Sequence, residues 1–282
     1  MNLILQGIAT NRSAIDRIAA IAGAQRVTAL DANAFCCEDV TVSDQINIEV
    51  ERACALARLD GNFVIERLHL SDFKLLAMDM DSTLITIECI DEIADMQGLK
   101  PQVASITEAA MRGEIEFNES LTRRVALLAG LDAGALERVY NERLQLSPGA
   151  ENMLAAVKLA GLKTLLVSGG FTFFTDRMRQ RLGLDYSHAN QLEIVGGRLT
   201  GRVIGGIVNA EEKKHTVQRI CNELGIAPTA AIVMGDGAND LQMMGIAGMS
   251  VAFRAKPVVR AQAHVALNFV GLDGILALFV TP

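Results

Sequence analysis

The chain has 282 residues, half of them hydrophobic and only 4% aromatic, with a formal net charge of -7. That length suits one large domain or two to three small ones around an aliphatic core. The acidic balance argues against a nucleic-acid backbone as the main partner, because such binding needs a basic patch, while leaving room for a locally positive site for a small anion. Five cysteines, Cys36, Cys37, Cys54, Cys89 and Cys221, show no metal-type spacing and read as reduced thiols of a cytoplasmic protein. The opening MNLILQGIATNRSAI lacks the basic start and cleavage site of a signal peptide. No apolar run reaches the roughly 18 residues that a membrane span requires, so no membrane partner is expected.

In chain order, NLILQGI reads as a strand, RSAIDRIAAIAGA as a helix, and RVTALDANAFCCEDV as two short strands. NIEVERACALARL is helical and NFVIERL a strand. The βαββαβ order over residues 1–72 fits a small ferredoxin-like module. From Leu75 the texture changes. KLLAMDMD, GLKTLLVSGG and TAAIVMGDGAND are apolar runs with polar ends, and GMSVAF and HVAL are shorter versions. Helical stretches AENMLAAVKLAG, TDRMRQRLG, EEKKHTVQRICNELG and NDLQMMGIAG lie between them, and QLEIVGGRLTGRVI reads as a hairpin. Alternating strands and helices imply an α/β fold: an open, Rossmann-like parallel sheet with helices on both faces. Residues 86–148 break the alternation with four helices in a row. They read as a helical cap over a core formed by residues 73–85 and 149–282.

In an open α/β sheet, ligands sit outside the carboxyl ends of the strands. Three polar strand ends would meet there: Asp79, Asp81, Ser82 and Thr83; Ser168, Gly169 and Gly170; and Asp236, Asn239 and Asp240. Taken alone, the Asp79–Asp81 doublet is either a metal site or a polar turn, and GDGAND either a ligand set or a turn with an Asn cap. Carboxylates gathered at one point cannot all ionise without a cation, and hard oxygen donors favour Mg²⁺. Ser168 and its glycines offer a hydroxyl and open backbone N–H groups for phosphate oxygens. Lys213, with Lys214 beside it, either brings a cation to the same place or belongs to a charged first turn. Glu88, Arg124, Met111 and Phe117 lie in the cap, where a solvated face or a plain core is the ordinary role for such residues.

Taken in order, DMDSTLITIE, SGG, the Lys213 region and GDGAND resemble the four motifs of the haloacid dehalogenase superfamily. Glu88, at its spacing after Asp81, and the cap segment MRGEIEFNESLTRRVALL resemble the branch of that superfamily that acts on phosphoserine. The resemblance runs from about Leu75 to about Pro257. It implies a Mg²⁺-dependent phosphomonoesterase that converts L-phosphoserine to L-serine and phosphate in serine biosynthesis. On this reading Asp79 is the nucleophile that becomes an aspartyl-phosphate, and Asp81 is the general acid and base. Mg²⁺ is held by Asp79, the backbone carbonyl of Asp81, and Asp236. Ser168, Gly169 and Lys213 hold the phosphoryl oxygens, Asn239 helps hold substrate, and Asp240 orients Lys213 or a metal-bound water. Glu88 meets the substrate ammonium, Arg124 its carboxylate, and Met111 and Phe117 pack against it. Residues 1–72 carry a separate reading, as a regulatory, ligand-binding or dimerising module, which leaves a homodimer open without fixing the oligomeric state. Two other readings stand beside this one. One is a phosphatase or phosphotransferase of the same superfamily with a different small phosphorylated substrate. The other is a receiver-like phosphorylated switch, in which a helical cap has no use.

Overall fold

The computed structural model describes residues 1–280, and of Met111 only the backbone. The chain begins with four strands, β1 (Asn2–Gln6), β2 (Arg26–Ala29), β3 (Ala34–Glu38) and β4 (Asp60–Val64). They form an antiparallel sheet in the order β2-β3-β1-β4, so the βαββαβ order is observed. Helices α1 (Arg12–Ile21) and α2 (Asp44–Ala57) start where Asn11 and Ser43 accept backbone N–H groups of the first turn. The period-two alternation of β1 divides its side chains. Leu3 and Leu5 pack with Ile15, Ile18 and Val50 of the two helices, while Ile4 joins the core of the larger sheet. The strand expected over NFVIERL stops at Val64, and Ile65 is exposed.

The second sheet has seven strands: β5 (Leu75–Met78), β6 (Lys163–Phe171), β7 (Tyr186–Val195), β8 (Arg198–Ile204), β9 (Ala231–Gly235), β10 (Met249–Phe253) and β11 (Val265–Leu267). Their order is β11-β10-β9-β5-β6-β7-β8. All neighbours are parallel except the β7–β8 hairpin. Alternate residues of β5 enter different cores: Leu76 and Met78 on one face, Leu75 and Ala77 on the other. Burial on both faces explains why this strand is continuously apolar. β5 pairs with β6 on one side and β9 on the other. The chain therefore reverses direction of growth across the sheet at β5, the kind of switch point where a ligand crevice opens.

Residues 86–148 fold into four helices, the number expected there: α3 (Cys89–Asp95), α4 (Lys100–Met111), α5 (Phe117–Ala126) and α6 (Gly134–Glu142). The sheet is flanked by α7 (Ala150–Leu159), α8 (Thr172–Leu182), α9 (Ala210–Leu224), α10 (Leu241–Met244) and α11 (Pro257–Arg260). The helix expected over NDLQMMGIAG is only four residues long. Its start is a 3₁₀ turn, Ala238–Asp240, because the Asp240 carboxylate folds back onto the N–H groups of Asp236 and Gly237. No helix among the described residues is long and apolar enough to cross a membrane.

The two sheets meet through polar side chains. The Asn62 amide donates to the Ala266 carbonyl at 3.0 Å and accepts its N–H at 2.8 Å, standing in for a further strand at the β11 edge. Asp60, only 2% exposed, accepts the N–H groups of Asn268, Phe269 and Val270 at 2.7, 3.0 and 3.0 Å.

Candidate active site

β5 ends at Met78, and the next residues fold into a tight turn, Met80–Leu84, rather than continuing the strand. The Asp79 N–H still pairs with the Met234 carbonyl of β9, so the carboxylate leaves the sheet from a fixed backbone. One Asp79 oxygen accepts the Met80 N–H at 2.6 Å, and the other lies 2.8 Å from Lys213 Nζ. Lys213 is fully buried and also reaches Asp240 Oδ1 at 2.8 Å. Burial opposes the charge on Lys213, but Asp240 and Asp79 outweigh it, raise the pKa and keep the ammonium charged. Burial raises the pKa of Asp79, the Asp240 charge beside it raises it further, and Lys213 opposes both.

Asp81 is nearly sealed, and its Oδ1 has no hydrogen-bond partner among the described residues. Burial, and then the nearby Glu88 charge, push its pKa up to about 8. Both causes favour the protonated acid over the carboxylate at Asp81. Two neighbouring residues set the shape of this pocket. Ser82 takes φ 56°, unusual for a non-glycine residue, and its hydroxyl donates to Glu88 Oε1 at 2.7 Å. At Gly170 any side chain would stand 2.8 Å from Asp81 Oδ2 and 3.0 Å from Ser168 Oγ, so glycine keeps that space open.

At the tip of β9, Asp236 receives only a long 3.3 Å bond from the Thr83 hydroxyl. Burial and the charge of Asp240 raise its pKa to about 7. Asp240 differs: its oxygens accept Lys213 and the N–H groups of Asp236 and Gly237. Among the described residues, one oxygen each of Asp79, Asp236 and Asp240 lies within 4.8 Å of the others. Asp79 and Asp240 share the Lys213 ammonium, whereas Asp236 meets no cation among the described residues, so the cluster holds more carboxylates than positive charge. All donors here are hard oxygens, so the residues fit a small divalent cation. The Asp81 carboxylate stands outside this cluster; what was expected of Asp81 was its backbone carbonyl.

Asp79, Asp81, Glu88, Phe117, Arg124, Ser168, Gly169, Asp236 and Asn239 all line one cleft of about 880 Å³ between cap and core. Lys213 and Asp240 form its buried floor. The Met111 side chain lies outside the described residues. The two ambiguous pairs resolve by orientation. Arg123 is exposed and bonded to Glu119, whereas Arg124 turns into the cleft. Lys213 is buried on the acids, whereas Lys214 is partly exposed. Arg124 is desolvated enough to lower its pKa, against the pull of Asp91, Glu88 and Asp81. The protein around Glu88 raises its carboxyl pKa, which the Ser82 hydroxyl partly offsets.

Sequence reading missed three supporting residues. Asn190 donates to the Gly169 carbonyl at 2.8 Å and accepts the Val208 N–H at 2.8 Å, which ties the SGG loop to the approach to α9. Asn209 caps α9 by accepting the Glu212 N–H, and its amide donates to Asn118 of the cap at 3.2 Å. Asp91 lines the cleft beside Arg124, with one buried oxygen lacking a partner among the described residues. The Asn-cap pattern VNAEE was the one signal that pointed to Asn209.

The haloacid dehalogenase-like hydrolase family model matches residues 73–248. A phosphoserine phosphatase of Polaromonas sp. strain JS666 is 59% identical over 222 residues, which is 77% of this chain and 94% of that protein. A solved structure of a phosphoserine phosphatase with bound substrate is 36% identical at a TM-score of 0.69, covering 74% of this chain and 99% of its own. A haloacid dehalogenase family hydrolase from Salmonella enterica serovar Typhi is 32% identical at a TM-score of 0.86, with 99% of both chains covered. The chain belongs to the haloacid dehalogenase-like hydrolases and, within them, to the phosphoserine phosphatase family.

Proposed function

We propose that the protein hydrolyses L-phosphoserine to L-serine and phosphate through an aspartyl-phosphate on Asp79, as the last step of serine biosynthesis. One observation carries the reading: a lysine-clamped carboxylate, Asp79, and a buried acid, Asp81, share a cleft that Glu88 and Asp91 line together with Arg124, its one guanidinium among the described residues. Phosphoserine has three charged groups, and each meets an opposite here. Glu88 takes the ammonium. Arg124 takes the carboxylate, whose two oxygens suit a planar fork. Lys213, Ser168 and the Gly169 backbone take the phosphate, and Asn239 closes the rim. Phe117, whose ring would lie 3.2 Å from a side chain placed at Gly169, helps exclude water. Met111 is assigned the same role.

In the first step an Asp79 oxygen attacks phosphorus, and the P–O bond to serine breaks. The Asp81 proton goes to the departing seryl oxygen. Asp81, now a carboxylate, takes a proton from water, and that water attacks the phosphorus of the aspartyl-phosphate. Phosphate leaves, and the Asp79 carboxylate is restored. Lys213 holds Asp79 in line and Asp240 holds Lys213. Mg²⁺, held by Asp79, Asp236 and the Asp81 carbonyl, would supply positive charge against the phosphoryl oxygens. Chelation should stop phosphate release and added Mg²⁺ should restore it; full turnover in a metal-stripped sample would remove the cation from this scheme.

Arg124→Ala should raise KM for phosphoserine by about 10- to 100-fold, the loss of one charge-assisted contact. It should leave turnover of an uncharged phosphate ester nearly unchanged; equal damage to both substrates would overturn the amino-acid assignment. Asp81→Asn should slow the first release of serine by about 100-fold or more. The burst of nitrophenolate from 4-nitrophenyl phosphate should fall far less, because that leaving group needs no proton. A five-thiol chain whose cysteines are all buried and unpaired fits the cytoplasm.

A further inference from the structure

The cavity over Asp79 is not the largest among the described residues. A second one, of about 1280 Å³, opens between the N-terminal sheet and the catalytic sheet. Most of its exposed wall is apolar, with Ile8 after β1, Leu30 after β2, Leu159 at the end of α7, and Leu276 in the C-terminal turn. Two of these are poorly covered for such residues, Ile8 at 73% and Leu159 at 90% exposed. Nothing in the phosphatase reaction uses this space.

Two polar side chains in the cavity are incompletely partnered. Gln6, on β1, is 3% exposed, yet its Nε2 makes no hydrogen bond among the described residues. A buried amide donor left without a partner costs on the order of 1–3 kcal/mol. Arg67 donates through Nη2 to the neutral Phe279 carbonyl, and its buried Nε is also unpartnered. Among the described residues its charge meets no carboxylate. The two acids in the lining are occupied: Asp273 accepts the Asn152 amide at 3.1 Å, and Asp31 accepts the Asn33 N–H at 2.6 Å. What is missing is an acceptor with negative charge, small enough for two donors, attached to something apolar.

We propose that this cavity binds a small aliphatic monocarboxylate, its head group on Gln6 Nε2 and Arg67 and its chain against Ile8, Leu30, Leu159 and Leu276. A carboxylate supplies two oxygens for the two donors that line one cavity, whereas a phosphate dianion would leave acceptors unmatched in an apolar wall. Such a ligand touches β1, α7 and the C-terminal turn together, so it ties the two sheets to each other. Binding to the folded form alone also raises stability by mass action.

The test is calorimetric titration of the full chain with octanoate, and with octan-1-ol as the uncharged control. Octanoate should bind once per chain and raise the thermal midpoint, and octan-1-ol should bind about tenfold or more weakly. Arg67→Met should weaken octanoate about tenfold through the head group. Ile8→Asp, at an exposed rim position where folding is undisturbed, should do so through the tail. Circular dichroism of both variants checks that they are folded. The proposal falls if the intact chain takes up no octanoate, if octan-1-ol binds as well as octanoate, or if the folded variants bind as tightly as the parent.

Discussion

Asp79→Asn should cut phosphate release by about a thousandfold or more while the thermal transition stays cooperative. The amide keeps the shape of the carboxylate, and its one oxygen can still accept from one of the two donors, Met80 N–H or Lys213, that now hold Asp79 at 2.6 and 2.8 Å. What it lacks is the anionic oxygen that must form the bond to phosphorus, and losses on this scale follow removal of a nucleophile. Acid-quenched protein from labelled substrate should carry phosphate in the parent and none in the variant. A variant that still traps phosphate would assign the nucleophile to another carboxylate of the cleft, such as Asp236.

The second large effect concerns stability. Asp60→Ala should lower unfolding free energy by about 3–5 kcal/mol, from the loss of several bonds to one charged acceptor at a buried position. That is a large share of a typical total of about 5–15 kcal/mol. Asp60 accepts three consecutive backbone N–H groups and the Asn268 amide, and it is 2% exposed. Denaturant unfolding measures the change. Asp60→Asn, which keeps one acceptor oxygen, should lose less, and a midpoint unchanged in both variants would mean that the junction contributes nothing to stability.

The motif tips were legible because each combines an apolar run with polar residues that a sheet interior would not tolerate. KLLAMDMD, TLLVSGG and IVMGDGAND each show buried strand and exposed end in one stretch, and parallel pairing brings those ends together. The choice of Arg124 over Arg123 and Lys213 over Lys214 was not legible locally. Adjacent residues on a helix point about 100° apart, and only the position of the cleft tells which one faces it. Asn190 escaped notice for a different reason. It stands inside a strand, where an Asn carries no turn or cap signal, and its role exists only because the Gly169 carbonyl and Val208 N–H come within reach of one amide. NDLQMMGIAG read as a longer helix because its apolar spacing is helical, but a side chain to backbone contact from Asp240 took over the first turn. Asp60 and Asn62 gave no signal, since a polar residue at a strand start ordinarily faces solvent.

The clamp at Asp60 reaches residues more than 200 positions away, Asn268 being 208 further along the chain. A ribosome delivers chain from the first residue onward. The leading βαββαβ segment can therefore close its own sheet early, but the surface it must seat against emerges only with the final strand and turn. Until then the Asp60 carboxylate waits in water, and a nascent chain halted before residue 265 lacks the N–H groups of residues 268–270 that it accepts. Loop closure over such a distance is slow, which makes the last seating event the natural place for a chaperone to act.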